Sequence, residues 1–390
     1  MVKTRRSKGD GSIIDLPNGK KRVRLEIDPV DGKRRWLSAT VDTKTEAIAK
    51  LKQFERQKQD GILRQRAEED TIPYQAELFY THLRAQGRAG ATIVNARTAL
   101  VWLQAVCTGI PISKLASQDI DNLLLALREN NAKEATINTY LSKLFVFFGW
   151  LIANQRIARN PMEGYTHNKR IVTKKHTLIV LSLKEHERLK AYYQQLWDMQ
   201  WQKTKYNLKR SALRYRMLPL YCLAYETGIR DGELAALTWD CLDTENHTIT
   251  IKQTIAMDEE GHRVLSPVPK TINGYRTIKI SEKTTKLLVK LRERQGDTEY
   301  IFSSTHAGRG YYIPSTICKL FQASLKEIGI NRPFTFHDIR HTNASNMIYK
   351  GVPITVIADR LGHSSVAVTY STYAHIIQEC KASYTAVIEA

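Results

Sequence analysis

The stretch "LGHSSVAVTYSTYAH", residues 361–375, carries Tyr370 and Tyr373 three apart, with His363 before them and His375 after. Aromatic residues at that spacing mark one face of a helix, and the bland reading is a buried face. The sharper reading makes one phenol a nucleophile. Choosing between them depends on what else the chain brings to the same place.

Three more motifs lie in the same C-terminal half. In "TGIRDGELAAL", 227–237, Gly228 ends a helix and Arg230 follows it. Glu233 is three residues on and can brace the guanidinium as an i,i+3 pair, though alone this reads as a surface salt bridge. In "PKTINGYRTIKI", 269–280, Lys270 stands at or near the tip of a ribbon with Asn-Gly just after it; alone it is a solvated turn lysine. In "HDIRHT", 337–342, a helix or its entrance presents His337, Arg340 and His341 on one face. This also resembles the H-E-x-x-H zinc helix with Asp in place of Glu. Against zinc, Asp is shorter than the Glu base that motif needs, and a guanidinium beside the metal opposes a dication.

Taken together the motifs supply two arginines, a lysine, histidines and a phenol, a set suited to phosphoryl transfer with neither metal nor cofactor. A scissile phosphodiester gains negative charge on its nonbridging oxygens in the transition state, and two arginines can clamp them with forked hydrogen bonds. A tyrosine of pKa about 10 is mostly protonated at neutral pH, so the phenol needs activation. Nearby cations favour the phenolate and a histidine can take the proton. The leaving 5′-oxygen needs a proton, which an ammonium can deliver.

The bulk numbers agree with a polyanionic partner. Lys and Arg number 59 against 39 Asp and Glu, a formal charge of +20 over 390 residues. Such an excess points to nucleic acid or a membrane surface. No apolar run approaches the roughly 18 residues that span a bilayer. The basic N-terminus, "MVKTRRSKGDGS", lacks an apolar signal core. Cys107, Cys222, Cys241, Cys318 and Cys380 are scattered without a C-x-x-C pair, which fits reduced thiols in a cytoplasm.

The length predicts two or three domains. Residues 12–41 read as three strands joined by "PNGK" and "PVDGK", since Asn-Gly and Asp-Gly between alternating runs signal hairpins. Thr43 and Glu46 form a capping box for a following helix. Eleven Lys or Arg within residues 1–35 give this module, 1–65, a basic face. Residues 71–165 carry apolar residues at three-to-four spacing in four helices, with Thr92, Ser117 and Thr136 as N-caps and Asn160-Pro161 as the last stop. Residues 166–177 read as a basic linker. Residues 178–390 form the largest block: helices around 183–228, a β-ribbon at about 247–280, then further helices.

At this point the chain resembles the tyrosine recombinases, and within them the integrases of phages and conjugative transposons. The resemblance covers nearly the whole chain. "TGIRDGEL" looks like the first arginine box, which implies Arg230 as the first phosphate clamp and Glu233 as its brace. "PKTINGYRTI" is similar to the ribbon that carries the family lysine, which implies Lys270 as general acid. "HDIRHT" resembles the histidine–arginine box, with His337 as general base and Arg340 as second clamp. "LGHSS" implies that His363 hydrogen-bonds the phosphate. "TYSTYAH" resembles the nucleophile box, with Tyr373 as nucleophile, Tyr370 as a packing residue and His375 without a catalytic role.

The resemblance implies the tyrosine recombinase fold: a three-stranded sheet plus helix, an all-α core-binding domain, and a mainly α catalytic domain with a β-ribbon. The partners it implies are double-stranded attachment sites of core and arm type, a homotetramer on DNA and accessory DNA-bending or directionality proteins, with no membrane and a bacterial cytoplasm as the location. Two segments depart from the family pattern. Residues 188–216 are longer and more basic than expected and read as an extra DNA or protomer contact, or as a longer helix. The tail, "IIQECKASYTAVIEA", docks on a neighbouring protomer in the family, or else packs on its own domain. Rival readings are a type IB topoisomerase, a catalytically silent DNA-binding regulator and the zinc hydrolase.

The charge excess carries its own test. Binding to DNA should weaken by orders of magnitude between about 50 and 200 mM salt, because each neutralised phosphate releases counterions. Filter-binding or fluorescence-anisotropy titrations measure it, and a salt-insensitive affinity would contradict this use of the charge.

Overall fold

The computed structural model describes residues 11–30, 33–59, 69–165, 178–199, 214–267, 274–304 and 310–388. The linker 166–177, Lys270 and part of the basic segment 188–216 (200–213) lie outside them. The chain divides into two compact units, Met1–Lys174 and Lys175–Ala390.

The first unit opens with an antiparallel sheet of β1 (Ser12–Asp15), β2 (Lys21–Val30) and β3 (Lys33–Val41), in that order. Alternation sets its inner face: Val23, Leu25 and Leu37 are buried. Arg24 pairs with Ser38 on the outer face, and Trp36 is exposed there. Helix α1 (Lys44–Gln59) covers the inner face with Ala47, Leu51 and Phe54, spaced one turn apart. The predicted capping box is present. The Glu46 N–H donates to Thr43 Oγ1 at 3.2 Å, and the Thr43 N–H to Glu46 Oε2 at 3.3 Å.

The four predicted helices follow as α2 (Ile72–Ala85), α3 (Gly90–Val106), α4 (Ser117–Glu129) and α5 (Glu134–Ala153), around a core of their own. Three predicted caps are displaced: the N-cap residues are Ala89, Ala116 and Lys133, one to three positions before Thr92, Ser117 and Thr136. At α4 the acceptor comes from within the helix, where Asp119 takes the Ala116 N–H at 2.8 Å. Helix α5 stops well before Asn160-Pro161. Gln155 turns left-handed at φ 54°, and the Arg156 N–H closes on the Leu151 carbonyl at 2.8 Å. By length and composition α5 passes for a membrane-crossing helix, but its uninterrupted apolar run, Leu144–Ala153, is far shorter than a span, as expected. Its Ile137, Leu144, Phe147, Phe148 and Leu151 lie in the core of the bundle.

The second unit begins with α6 (Leu183–Met199), α7 (Met217–Thr227) and α8 (Asp231–Ala235). Three residues flanking 200–213 bond within their own unit. Arg188 donates to the Ile328 carbonyl, Tyr192 to Glu327, and Arg214 to Glu327 at 2.7 Å. The predicted ribbon is two structures. A sheet orders β4 (Leu242–Asp243), β5 (Thr248–Ile251) and β8 (Arg276–Lys279), while β6 (Thr254–Met257) and β7 (Arg263–Ser266) form a separate hairpin. That hairpin turns at 258–262; Lys270, expected at or near the tip of the ribbon, lies outside the described residues. Helices α9 (Glu282–Gln295), α10 (Pro314–Glu327), α11 (Phe336–Tyr349), α12 (Ile354–Leu361) and α13 (Val366–Ile388) complete the unit. The tail is therefore a continuation of the helix that carries Tyr373.

Two glycines end helices where the chain must turn sharply. Gly228 stops α7 at φ 65° and Gly362 stops α12 at φ 67°. A Cβ on Gly228 would sit 2.7 Å from Leu361 Cδ2 and 2.9 Å from Asn343 Oδ1. Gly228→Ala is expected to cost about 2 kcal/mol or more, combining left-handed strain with overpacking. Gly261→Ala, at φ 90° with nothing within 4 Å, should cost only the strain. Urea unfolding curves of the two variants provide the comparison.

Candidate active site

The last carbonyls of a helix have no partner within it and carry the negative end of its dipole. At the end of α12, three consecutive carbonyls each receive an arginine. Arg276 Nε donates to the Arg360 carbonyl at 2.8 Å, Arg340 Nη2 to Leu361 at 2.7 Å and Arg230 Nη2 to Gly362 at 3.0 Å. Arg340 also donates Nη1 to the Gly228 carbonyl at 2.8 Å, so one guanidinium ties the ends of α7 and α12 together. The two left-handed glycines present those carbonyls.

Glu233 binds two of the three cations. Its carboxylate accepts from Arg230 Nη1 at 2.6 Å and from Arg276 Nη2 at 2.8 Å, and it is only 3% exposed. Burial works to raise its pKa; the hydrogen bonds and charges of Arg276 and Arg230 outweigh it and hold the carboxyl below its ordinary value. The predicted Arg230–Glu233 brace is thus present, but it is half of a buried triad. Arg340 is 3% exposed, and burial first, then Arg230, brings its pKa down to about 9, so it stays cationic at neutral pH.

Helix α11 brings in the histidines. Asp338 caps it, accepting the Thr335 N–H at 2.6 Å and the Thr335 hydroxyl at 2.7 Å. That capping role occupies the carboxylate which a zinc reading of "HDIRH" would need, and among the described residues no group of three or more His, Cys, Asp and Glu side chains could hold a metal ion. His337 and His341 stand edge to face, ring centroids 5.1 Å apart. Crowding by its neighbours, then Arg340, lowers the His337 pKa although part of the ring meets solvent. His363, directly after Gly362, pairs through Nδ1 with Thr369 Oγ1 at 2.7 Å. Burial and the charges of Arg340, Arg230 and Arg276 push its pKa down to about 4, which leaves it neutral at pH 7.

Tyr373 faces inward from α13 and is 0% exposed, whereas Tyr370 is 46% exposed. The expected packing role for Tyr370 is therefore corrected: three residues of helix rotate it about 60° away, far enough to leave the core. Burial raises the Tyr373 phenol to about 12, with Arg340 acting against the rise. Its Oη lies 2.8 Å from His341 Nδ1.

Arg230, His337, Arg340, His363 and Tyr373 are gathered as the spacing predicts, and Lys270 lies outside the described residues. Two side chains in the cluster were given no role by the sequence reading. Arg276 sits in β8 on the inward register with Ile278, and a cation at an inward strand position is a legible signal of a buried partner. His341 lies in plain view in "HDIRHT", but only the fold decides which of two histidines one turn apart meets the phenol.

The triad has a measurable signature. Glu233→Gln should destabilise the fold by about 3 kcal/mol or more, because it leaves Arg276 buried without its anion. A carboxyl whose pKa is lowered on folding stabilises above its unfolded pKa of about 4.3, and that contribution is lost as pH falls through the folded value. The stability gap between wild type and variant should therefore close below about pH 4. Urea titrations from pH 7 to pH 3 measure it, and a pH-independent gap would contradict the ionised triad.

Comparison with known proteins extends the picture. Residues 199–379 match the phage integrase family. A XerC-like tyrosine recombinase of Caldanaerobacter subterraneus is 29% identical over 293 residues, 70% of each chain. The ICEBs1 integrase of Bacillus subtilis is 23% identical over 383 residues, 94% of this chain and 95% of its own. Among solved structures, the Tn1549 transposon integrase in complex with transposon right end DNA superposes with a TM-score of 0.63 at 18% identity, covering 81% of this chain and 99% of that one. A family match that spans every clustered side chain and relatives aligned over most of the length agree: residues 199–379 carry a phage integrase domain, and the chain as a whole is similar to the tyrosine recombinase integrases.

Proposed function

We propose that this integrase cuts and rejoins DNA at specific attachment sites through a covalent phosphotyrosyl intermediate. The observation that carries the reading is the convergence of Arg230, Arg340 and His363 on the end of α12, with the Tyr373 phenol under the influence of Arg340. Arg230 and Arg340 clamp the nonbridging oxygens of the scissile phosphate, and Glu233 holds the first clamp. His363, neutral at pH 7, contributes a hydrogen bond to the same phosphate. His337 stands against the His341 ring and completes the histidine pair beside the phenol.

Tyr373 attacks phosphorus, forms a 3′-phosphotyrosyl bond and frees a 5′-hydroxyl, with Lys270 supplying the proton to that oxygen. The 5′-hydroxyl of a partner duplex then attacks the phosphotyrosine. Bond energy is kept in the covalent intermediate, so the exchange needs no ATP. In the family pattern this proceeds through a Holliday junction within a tetramer on two sites. The sheet module binds arm sites with the outer face that carries Arg24 and Trp36, the helical bundle binds the core site, and the basic linker follows the backbone. The reading places the protein in the cytoplasm of a bacterial host.

The test is a nicked suicide substrate built from the ends of the mobile element, with mapping of the linked residue. Tyr373→Phe should keep DNA affinity and form no adduct; an adduct that survives would move the nucleophile elsewhere. Arg340→Ala should raise the barrier by on the order of 3 kcal/mol, as lost transition-state donors do. Relaxation of supercoils without site preference would replace the reading by a topoisomerase.

A further inference from the structure

We infer that His341, through Nδ1, takes the proton from the Tyr373 phenol as it attacks the phosphorus. The inference rests on the recombinase reading and deepens it, since it assigns the base to a side chain other than His337. Nδ1 lies 2.8 Å from Oη, inside the hydrogen-bond range for proton transfer. The partner is buried, with no exposure of its own. The rings meet at 61° with centroids 5.7 Å apart, so the imidazole edge, not its face, addresses the oxygen.

The inference requires one direction of this bond. Burial raises the phenol to about 12, so it keeps its proton at neutral pH and can donate it to Nδ1 when His341 is in the Nε2–H form. His337, edge to face on the same helix, limits how the His341 ring can turn. His337 from the same helix, Tyr373 from α13 and His363 after α12 are among the groups that face His341. The Arg340 charge acts on Tyr373 and favours the phenolate that the transfer creates.

In the step itself, Oη bonds to phosphorus as the bond from phosphorus to the 5′-oxygen breaks. The phenol proton passes from Oη to Nδ1, leaving an imidazolium. The 5′-oxygen takes its proton from a separate acid, the role proposed for Lys270. In the return step a 5′-hydroxyl attacks phosphorus and gives its proton to the now deprotonated acid, the role proposed for Lys270; the phenolate is expelled and His341 hands its proton back. One histidine serves both directions, as a reversible exchange requires.

Single-turnover adduct formation on the suicide substrate, followed against pH, tests the assignment. His341→Asn keeps an oxygen near the Nδ1 position without its basicity, and His341→Phe removes the acceptor; DNA affinity reports that each has folded. Both should slow adduct formation by roughly 10²–10⁴-fold at neutral pH, the usual worth of a positioned base. Their rates should rise in proportion to hydroxide, whereas the wild-type rate levels off once His341 is neutral. A ring-fluorinated tyrosine at position 373, whose phenol is more acidic, should restore much of the loss in His341→Asn, which a merely structural defect would not allow. An unchanged rate, an unrescued loss in a variant that binds DNA normally, or a faster variant would each overturn the inference; a faster variant would make the bond a restraint on the tyrosine. Failure of the underlying reading looks different: no adduct in wild type, or one that survives Tyr373→Phe.

Discussion

Everything at this site depends on three guanidiniums gathered at the end of one short helix. Like charges so close repel, and their removal from water is costly. What offsets this is local and specific. The last carbonyls of α12 are unpaired acceptors at the negative end of a dipole, and Glu233 supplies a full negative charge between Arg230 and Arg276. With each cation bonded to backbone, the arginines cannot swing away independently. The donors are thereby fixed in place, which is the condition for strong electrostatic stabilisation of a developing negative charge.

The same construction explains why residues so far apart in sequence share one site. Arg340 bonds the Gly228 carbonyl on one side and the Leu361 carbonyl on the other, so α7, α11 and α12 cannot separate without breaking a buried, charge-assisted pair. Tyr373 then arrives from α13 through an apolar cluster that includes Ile348, Ile357 and Leu361. Tyr373 is positioned by hydrophobic packing and the arginines by polar bonds. Leu361 takes part in both, with its side chain in the cluster and its carbonyl on Arg340.

The electrostatic settings follow from that geometry. Burial pushes His363 down and Tyr373 up, so both are neutral in the free protein near pH 7. Neutral His363 adds no further positive charge to a crowded site. The phenol, raised by burial, stays protonated.

Much was legible in the sequence. Alternating apolar residues and Asn-Gly and Asp-Gly turns defined the N-terminal sheet, and three-to-four spacing defined the helices, because both patterns depend on nearest neighbours along the chain. The four motifs named Arg230, Glu233, His337, Arg340, His363 and Tyr373, since charged, imidazole and phenol groups at fixed offsets restrict the chemistry. Element ends were less legible. Asp119 and the left-handed Gln155, not the nearest Ser, Thr or Pro, set the ends of α4 and α5, and the ribbon around 247–280 divided into a sheet and a hairpin. Only the tertiary structure could decide that Glu233 is shared with Arg276, that the carbonyls of Arg360, Leu361 and Gly362 receive the arginines, and that His341 rather than His337 meets the phenol. Those pairings join residues tens to more than a hundred positions apart, or choose between two histidines on one helical face. Such choices are made by packing between elements, which no local pattern encodes.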